Sequence, residues 1–146
     1  MADQTHQITS NGLETPVLIG LSGSDVHSRI AANLPLRRPQ RGIGLIDTGT
    51  NVTAVAASVL HRLGIVASRT VGTQTFGGLI QASLFDVSLT ITNAGWTAGD
   101  EFTISNLEVM EFVQPISGLD AIIGMDVVRL CQLHIDGPAR QFTLTF

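Results

Sequence analysis

Short apolar runs, separated by glycine, proline and polar residues, dominate the sequence and predict a protein built mainly of β-strands. Several runs alternate apolar with polar positions, which is typical of a strand that buries one face. The glycine-rich residues 74–78 lie between two such runs and predict the tip of a hairpin. The strands expected on this basis cover residues 16–20, 43–46, 66–73, 79–92, 102–112 and 121–123, with two more around residues 137–138.

Two segments have helical character instead. Residues 54–63 carry apolar side chains at helical spacing, with Thr53 in front as an N-cap and Gly64 behind as a stop. Residues 125–131 are expected to form a second, short helix. Short helices among many strands favour an all-β fold with a closed or nearly closed core.

Two other segments lack a clear pattern. Residues 1–14 are polar and are expected to form a flexible leader, so that a single domain would cover residues 15–146. Residues 21–41 are punctuated by glycine, asparagine and proline, and we expect a long inserted loop there with one short strand near residues 26–31.

Composition argues against several classes of function. The net charge is −4 and no basic stripe runs through the chain, which disfavours a nucleic-acid partner. All 8 basic residues are arginines, so the chain offers no Schiff-base lysine and no P-loop lysine. The single cysteine, Cys131, permits no intrachain disulfide. The four histidines lack metal-ligand spacing, and we therefore expect neither a metal nor another cofactor.

The chain also lacks targeting signals. Its first residues contain no apolar segment of the kind found in secretory signals, and no run approaches the roughly 18 apolar residues of a membrane span. We therefore expect a cytoplasmic location and no membrane partner.

The candidate chemistry centres on Asp47-Thr48-Gly49. The apolar pair Leu45-Ile46 comes directly before it, so the pattern places a carboxylate at the end of a buried strand. Burial of a charge is costly unless the charge is compensated or neutralised, which makes such a carboxylate a candidate catalytic group. An aspartate that forms a local Asx turn is the structural alternative.

Three segments, in this order, resemble the retropepsin-like aspartic proteases. Residues 45–53 (Leu-Ile-Asp-Thr-Gly-Thr-Asn-Val-Thr) are similar to the active-site segment of that family. Residues 76–80 (Phe-Gly-Gly-Leu-Ile) are similar to the tip and returning strand of its flap, and residues 121–126 (Ala-Ile-Ile-Gly-Met-Asp) to the segment that leads into its helix. The resemblance implies a closed barrel of acid-protease type with a flap hairpin and one or two short helices, assembled as a symmetric homodimer.

The implied activity is that of an aspartic endopeptidase. Peptide hydrolysis by this route needs two carboxylates that share one proton, one acting as base toward water and the other as acid. Because the sequence holds one Asp-Thr-Gly, the second carboxylate is expected from another copy across a two-fold axis. The expected partners are therefore a second copy of the chain and a peptide or protein substrate.

Individual roles also follow from the resemblance. Asp47 is the expected catalytic residue, with Thr48 and Gly49 as active-site support. The residues expected to bind substrate are Thr50, Asn51, Val52, Phe76, Gly77, Gly78 and Ile122. For Phe76 and Ile122, plain core packing is the alternative.

Some features depart from the viral members of the family. Those members carry an arginine after the glycine of the third segment, whereas Met125 stands here and is followed by Asp126, as in bacterial and eukaryotic relatives. Residues 21–41 lengthen the chain before the catalytic aspartate. The last segment, residues 142–146, looks like a strand that forms the dimer.

Two other readings of the sequence stay open. The fold could serve as a non-catalytic dimerisation or peptide-binding module, since a fold alone does not fix a function. Residues 47–53 also resemble the first phosphate loop of actin-like kinases and chaperone ATPases, although that fold usually needs over twice this length. Cleavage, nucleotide binding or neither would separate the three readings.

Overall fold

The computed structural model describes residues 1–96, 99–113, 115–116 and 118–146. Within these residues it contains ten strands and three helices. The strands are β1 (Asp3–Gln7), β2 (Glu14–Leu21), β3 (Gln40–Ile46), β4 (Ala54–Ala56), β5 (Arg69–Thr75), β6 (Gly78–Ile91), β7 (Phe102–Phe112), β8 (Ala121–Ile123), β9 (Gln132–Asp136) and β10 (Gln141–Thr145). The helices are α1 (Gly23–Ala31), α2 (Ala57–Leu63) and α3 (Met125–Val128). No helix in the described ranges is long and apolar enough to cross a membrane.

A closed barrel forms the body of the protein. Its strands belong to one sheet with the order β2-β3-β8-β4-β7-β6-β5. β2 also pairs antiparallel with β6, placing Val17 opposite Ile91, so β2, β3, β8, β4, β7 and β6 form a ring. Closure removes the free edges that an open sheet would expose. β5 stays outside the ring and pairs with β6 alone, as one arm of a hairpin. The predicted all-β closed barrel is thus confirmed.

Alternating side chains fill the interior of the barrel. In β2, Val17 and Ile19 are fully buried while Pro16 and Leu18 are partly exposed, as expected for a strand with one face toward the core. α2 buries Val59, Leu60 and Leu63 against the same core. Its end matches the prediction, because Gly64 adopts a left-handed conformation with φ of 67° just after the last turn.

The start of α2 differs from the prediction. The helix expected over residues 54–63 begins at Ala57, because Ala54–Ala56 pair as β4 with both β7 and β8. Thr53 is therefore not its N-cap. Two alanines with high helix propensity, with Val55 between them, become a strand here because two neighbouring strands satisfy their backbone groups.

The expected loop over residues 21–41 is also partly wrong. Gly23–Ala31 form α1, and neither a loop nor the short strand predicted near residues 26–31 is found there. Ser22 caps this helix by accepting a hydrogen bond from Asp25 N at 3.0 Å. α1 buries no residue, and its large apolar side chains are only Val26 and Ile30, a pattern too short to indicate a helix from the sequence.

β1, β10 and β9 form a second sheet, with β10 in the middle. Its buried face combines Phe142 and Leu144 from β10 with Gln4 and His6 from β1. The prediction of a flexible leader over residues 1–14 is therefore wrong for Asp3–Gln7, which form β1. Its two inward positions are polar, so the alternation that marks a strand was hidden.

The position of β10 in the middle of this sheet contradicts the expectation that the last strand forms a dimer. The segment at residues 142–146 was predicted to pair with another copy. Both edges of β10 are instead occupied within the chain, by β1 and by β9. The last strand consequently offers no free edge to a second molecule.

The buried His6 leads to a prediction about pH. Its ring stacks on Phe142 with 5.2 Å between centroids, and burial lowers the pKa of His6 below its ordinary value of 6.5. The unfolded chain then takes up this proton before the folded protein does, so the free energy of unfolding falls as pH drops through about 6.5. Urea unfolding at steps between about pH 7.5 and about pH 5 measures the slope. His6→Gln is expected to reduce it, and an unchanged slope in that variant would contradict the assignment.

Candidate active site

Asp47 lies directly after β3, where the buried strand turns into a loop. Its backbone N–H donates to the carbonyl of Ile123 on β8 at 2.9 Å, and the side chain is half-buried. Gly49 N donates to Asp47 Oδ1 at 2.8 Å, and Thr50 N donates to the Asp47 carbonyl at 3.3 Å. A Cβ at Gly49 would lie 3.1 Å from the same carboxylate oxygen. The turn thus fixes the orientation of the carboxylate and leaves its second oxygen available. The Asx turn considered for this aspartate is present, and it holds the side chain in place.

The loop after Asp47 is fastened to the start of α3. Met125 N donates to the Thr50 carbonyl at 2.8 Å, and Asp126 N donates to the Asn51 carbonyl at 3.1 Å. The backbone N–H groups in the first turn of a helix have no carbonyl partner within the helix, and the two loop carbonyls accept hydrogen bonds from these groups of α3. The first and third segments of the sequence are therefore in direct contact, although about 75 residues separate them.

A buried side-chain network strengthens the same contact. Thr53 is fully buried, and its hydroxyl donates to Asp126 Oδ1 at 2.7 Å while Thr53 N donates to Asp126 Oδ2 at 2.9 Å. The hydroxyl also accepts from Gly124 N at 3.0 Å. A Cβ at Gly124 would lie 2.9 Å from the carbonyl carbon of Val52, so a side chain at this position would displace the loop. Thr53 and Asp126 are positioning residues that the sequence did not reveal.

The hairpin of β5 and β6 extends beside this loop. Thr75 Oγ1 donates to the Gly78 carbonyl at 2.9 Å, and Gly78 has a φ of 111°, which favours glycine. Phe76 at the tip is fully exposed. At the base, the ion pair of Arg69 with Glu108 of β7 has an N–O distance of 2.5 Å, and the Arg69 guanidinium lowers the pKa of the Glu108 carboxyl. The predicted hairpin with its tip at residues 74–78 is confirmed.

A cavity of about 350 Å³ lies between the loop and the hairpin. Its lining contains no charged side chain. The lining residues are Gly49, Thr50, Asn51, Val52, Thr73, Gln74, Thr75 and Met110. The structure therefore brings four of the predicted site residues together with residues of β5 and β7. Among the described residues, no group of three or more histidine, cysteine, aspartate or glutamate side chains is arranged to hold a metal ion.

Asp47 and the other predicted site residues are not among the lining residues of this cavity. Thr48 is exposed beside Asp47, and Phe76, Gly77 and Gly78 form the hairpin tip. Ile122 is half-buried in β8, opposite Leu45 of β3. Thr73 and Thr75 were missed, although alternation on the strand before the tip could have indicated them. Met110 gave no local signal, because the parallel pairing of β4 with β7 brings it here.

Comparison with solved structures relates this fold to known proteins. A retropepsin-like aspartic protease from Rickettsia conorii matches with a TM-score of 0.56 and 14% identity, over 99% of this chain and 90% of that one. EIAV protease complexed with the inhibitor HBY-793 matches with a TM-score of 0.41 and 21% identity, over 80% and 85% of the two chains. No protein-family model matches the sequence, and no curated protein matches it either.

The chain has a retropepsin-like fold. The likeness to the Rickettsia structure extends over almost the whole chain and agrees with the closed barrel described above. The phosphate-loop reading of residues 47–53 does not fit, because an actin-like nucleotide site needs two related α/β subdomains, whereas the described residues form an all-β barrel with one small additional sheet.

The network between Thr53 and Asp126 leads to a prediction about stability. Thr53→Val keeps the volume but removes the hydroxyl, which leaves Gly124 N without its acceptor and takes away one of the two hydrogen bonds to Asp126 Oδ1. We expect the free energy of unfolding to fall by about 1–3 kcal/mol, the usual cost of unpaired buried polar groups. Urea unfolding monitored by circular dichroism measures this change.

Thr103→Val is the matched control. The Thr103 hydroxyl contacts only the hydroxyl of Thr90 among described side chains, at 2.9 Å, and it is exposed. This control is expected to change stability by no more than about 0.5 kcal/mol. Equal effects in the two variants would show that the buried network does not hold the loop.

Proposed function

We propose that this protein is an aspartic endopeptidase, which hydrolyses peptide bonds with a water activated by two Asp47 carboxylates across the two-fold axis of a homodimer. The observation that carries the proposal is the position of Asp47. Its carboxylate follows a buried strand, is oriented by Gly49 N, and comes directly before the loop that lines an uncharged cavity on a retropepsin-like fold. A carboxylate with one oxygen fixed and the other available suits a group that shares a proton.

The chemistry calls for a second carboxylate that this chain does not place beside the first. Two acidic residues, Asp120 and Asp126, lie just before and just after β8, but the carboxylates of both accept hydrogen bonds from backbone N–H groups. Asp120 accepts a hydrogen bond from Ile43 N at 2.9 Å, and Asp126 accepts from Thr53. A second copy related by a two-fold axis would supply an equivalent Asp47. Two such carboxylates close together cannot both ionise cheaply, so the pair would hold one proton between them.

The remaining predicted residues take roles around this pair. Thr48, exposed beside Asp47, would contact its counterpart and lock the two loops together. The hairpin tip would act as a flap that closes over the substrate and excludes water. The full exposure of Phe76 supports this role, since none of the residues that the structure describes covers that ring. Ile122 would form an apolar wall of the substrate site.

The cavity indicates the kind of substrate. Its lining combines hydroxyl, amide and apolar side chains and carries no charge. We propose that it accepts an uncharged side chain of an extended peptide. The backbone of such a peptide would lie between the Asp47 loop and the hairpin.

The decisive variant is Asp47→Asn. It keeps the size of the side chain and the hydrogen bond from Gly49, but it removes the ionisable group from both copies. Cleavage of a denatured protein or a peptide library, assayed between about pH 4 and about pH 7, is expected to fall by at least about 100-fold. Mass spectrometry of the products measures the loss.

Asp86→Asn is the matched control, because Asp86 is exposed on β6. It is expected to leave the rate unchanged. Wild-type protein that binds peptides without cleaving them would replace the protease by a peptide-binding module. Cleavage that survives Asp47→Asn would rule out the proposed mechanism.

A further inference from the structure

The connection between β2 and β3 contains an ordered segment that adds nothing to the core. It consists of α1 and the loop that leads on to β3. Ser24 N and Ser24 Oγ donate to Asn106 Oδ1 on β7, at 3.0 and 2.9 Å, and so attach the start of α1 to the barrel. The far end is open, because α1 buries no residue and residues 31–39 are all exposed. This end of the segment is therefore accessible to a surface outside the chain.

Hydrogen bonds fold the residues after α1 back onto its last turn. Asn33, with a left-handed φ of 54°, follows the helix, and its N–H donates to the Ile30 carbonyl at 3.1 Å. Leu34 N donates to the Arg29 carbonyl at 2.8 Å. The Arg29 guanidinium donates in turn to the Pro35 carbonyl at 3.2 Å. The end of α1 and the loop after it thus form one pre-formed surface.

Large apolar side chains are exposed on this surface. Ile30, Leu34 and Leu36 are 64%, 54% and 48% exposed. A single exposed leucine is ordinary in a folded protein, whereas three large apolar side chains within one short stretch mark a place where a partner can bind.

The same stretch carries a local positive charge. Arg29, Arg37, Arg38 and Arg41 are half of the 8 basic residues, and residues 29–41 contain no acidic residue. Among the described residues, none of these four guanidinium groups forms an ion pair with a carboxylate. The net charge of the chain is nevertheless −4, so the remainder of the chain is strongly acidic. Such an uneven distribution turns the basic side of a protein toward an anionic surface.

The position of this surface leaves the candidate active site accessible. The loop enters β3 at Gln40, whereas Asp47 follows the opposite end of the strand, at Ile46. A strand of 7 residues is roughly 20 Å long. A large partner on this surface would therefore be separated from Asp47 by the length of β3.

We propose that the end of α1 and the following loop bind an anionic lipid bilayer. The residues that make the contact, called the basic-apolar surface below, are Arg29, Ile30, Leu34, Leu36, Arg37 and Arg38. The guanidinium groups bind lipid phosphates, and the apolar side chains enter the boundary between headgroups and acyl chains. The expectation of no membrane partner rested on the lack of a spanning segment, and this peripheral contact needs none. The inference does not depend on the proposed protease activity.

The combination of charged and apolar side chains favours a bilayer over other anionic partners. A nucleic acid offers phosphates but no apolar layer for Ile30, Leu34 and Leu36. An acidic polypeptide needs a groove that follows its course, whereas residues 31–39 are exposed one after another on the outside of the protein. A bilayer supplies phosphates and an apolar layer next to each other over a broad surface.

Co-sedimentation of the full chain with vesicles tests the proposal. One set of vesicles contains phosphatidylcholine with about 30% phosphatidylserine, and the other contains phosphatidylcholine alone. We expect the affinity for the anionic vesicles to be at least about tenfold higher, and to fall when salt is raised from about 0.05 M to about 0.5 M. Equal binding to both kinds of vesicle, or binding to neither, would overturn the proposal.

Arg37→Gln combined with Arg38→Gln removes two charges from the basic-apolar surface. We expect this variant to bind anionic vesicles about tenfold or more weakly, since each basic residue near a membrane adds to the attraction. Arg129→Gln with Arg140→Gln is the matched control, because it removes the same charge from two exposed residues outside the surface. The control is expected to bind like wild type. Equal losses in the two variants would assign the binding to net charge alone and overturn the proposal.

Leu36→Ser tests the apolar part of the contact. It is expected to weaken binding to anionic vesicles by about threefold or more, because less apolar surface enters the bilayer. Leu130→Ser is the matched control, since Leu130 is 52% exposed and lies outside the basic-apolar surface. Circular dichroism confirms that both variants are folded. Binding of Leu36→Ser equal to that of the control would contradict the apolar contact and overturn the bilayer as the partner.

Asp47→Asn separates this inference from the proposed function. The variant is expected to bind anionic vesicles like wild type, whether or not the wild-type protein cleaves peptides. Loss of vesicle binding in Asp47→Asn would overturn the assignment of the contact to the opposite end of β3. Binding of polyglutamate by a protein that does not bind anionic vesicles would replace the bilayer by an acidic polypeptide and would also overturn the proposal.

Discussion

The hydrogen bonds between Thr53 and Asp126 are the interaction on which the candidate site depends. They join the loop after β3 to the start of α3, inside a protein where unpaired polar groups would be costly. The tight approach of Gly124 to the backbone of Val52 is possible because glycine has no side chain, and these bonds hold the two segments together. Asp47 thus owes its position to a contact between two distant parts of the chain, and its own turn only completes the orientation.

Each chain supplies a single catalytic carboxylate, that of Asp47, and the proposed activity therefore depends on the association of two chains. The barrel closes within one chain, whereas the proposed chemistry needs a second acid.

The sequence predicted those features that local patterns encode. β7 matches its predicted bounds because Phe102–Phe112 carries alternating apolar positions along most of its length, and Gly64 marks the end of α2. α1 was missed because it buries no side chain, and β1 because Gln4 and His6 occupy its inward positions. In the candidate site, the sequence predicted the residues that belong to short motifs, such as Asp47 and the loop that follows it. Met110 and the bond from Thr53 to Asp126 depend on pairing between distant segments, which no local pattern reports.

Mixing wild-type chains with Asp47→Asn chains tests the central claim most directly, because it asks whether one active site uses residue 47 from two copies. Wild-type protein is held constant while increasing amounts of the variant are added, and time is allowed for subunits to exchange. We expect the cleavage rate to fall in proportion to the fraction of wild-type chains, since mixed dimers would lack one carboxylate of the pair. A rate that does not change, at concentrations where mixed dimers are detected, would contradict the shared site.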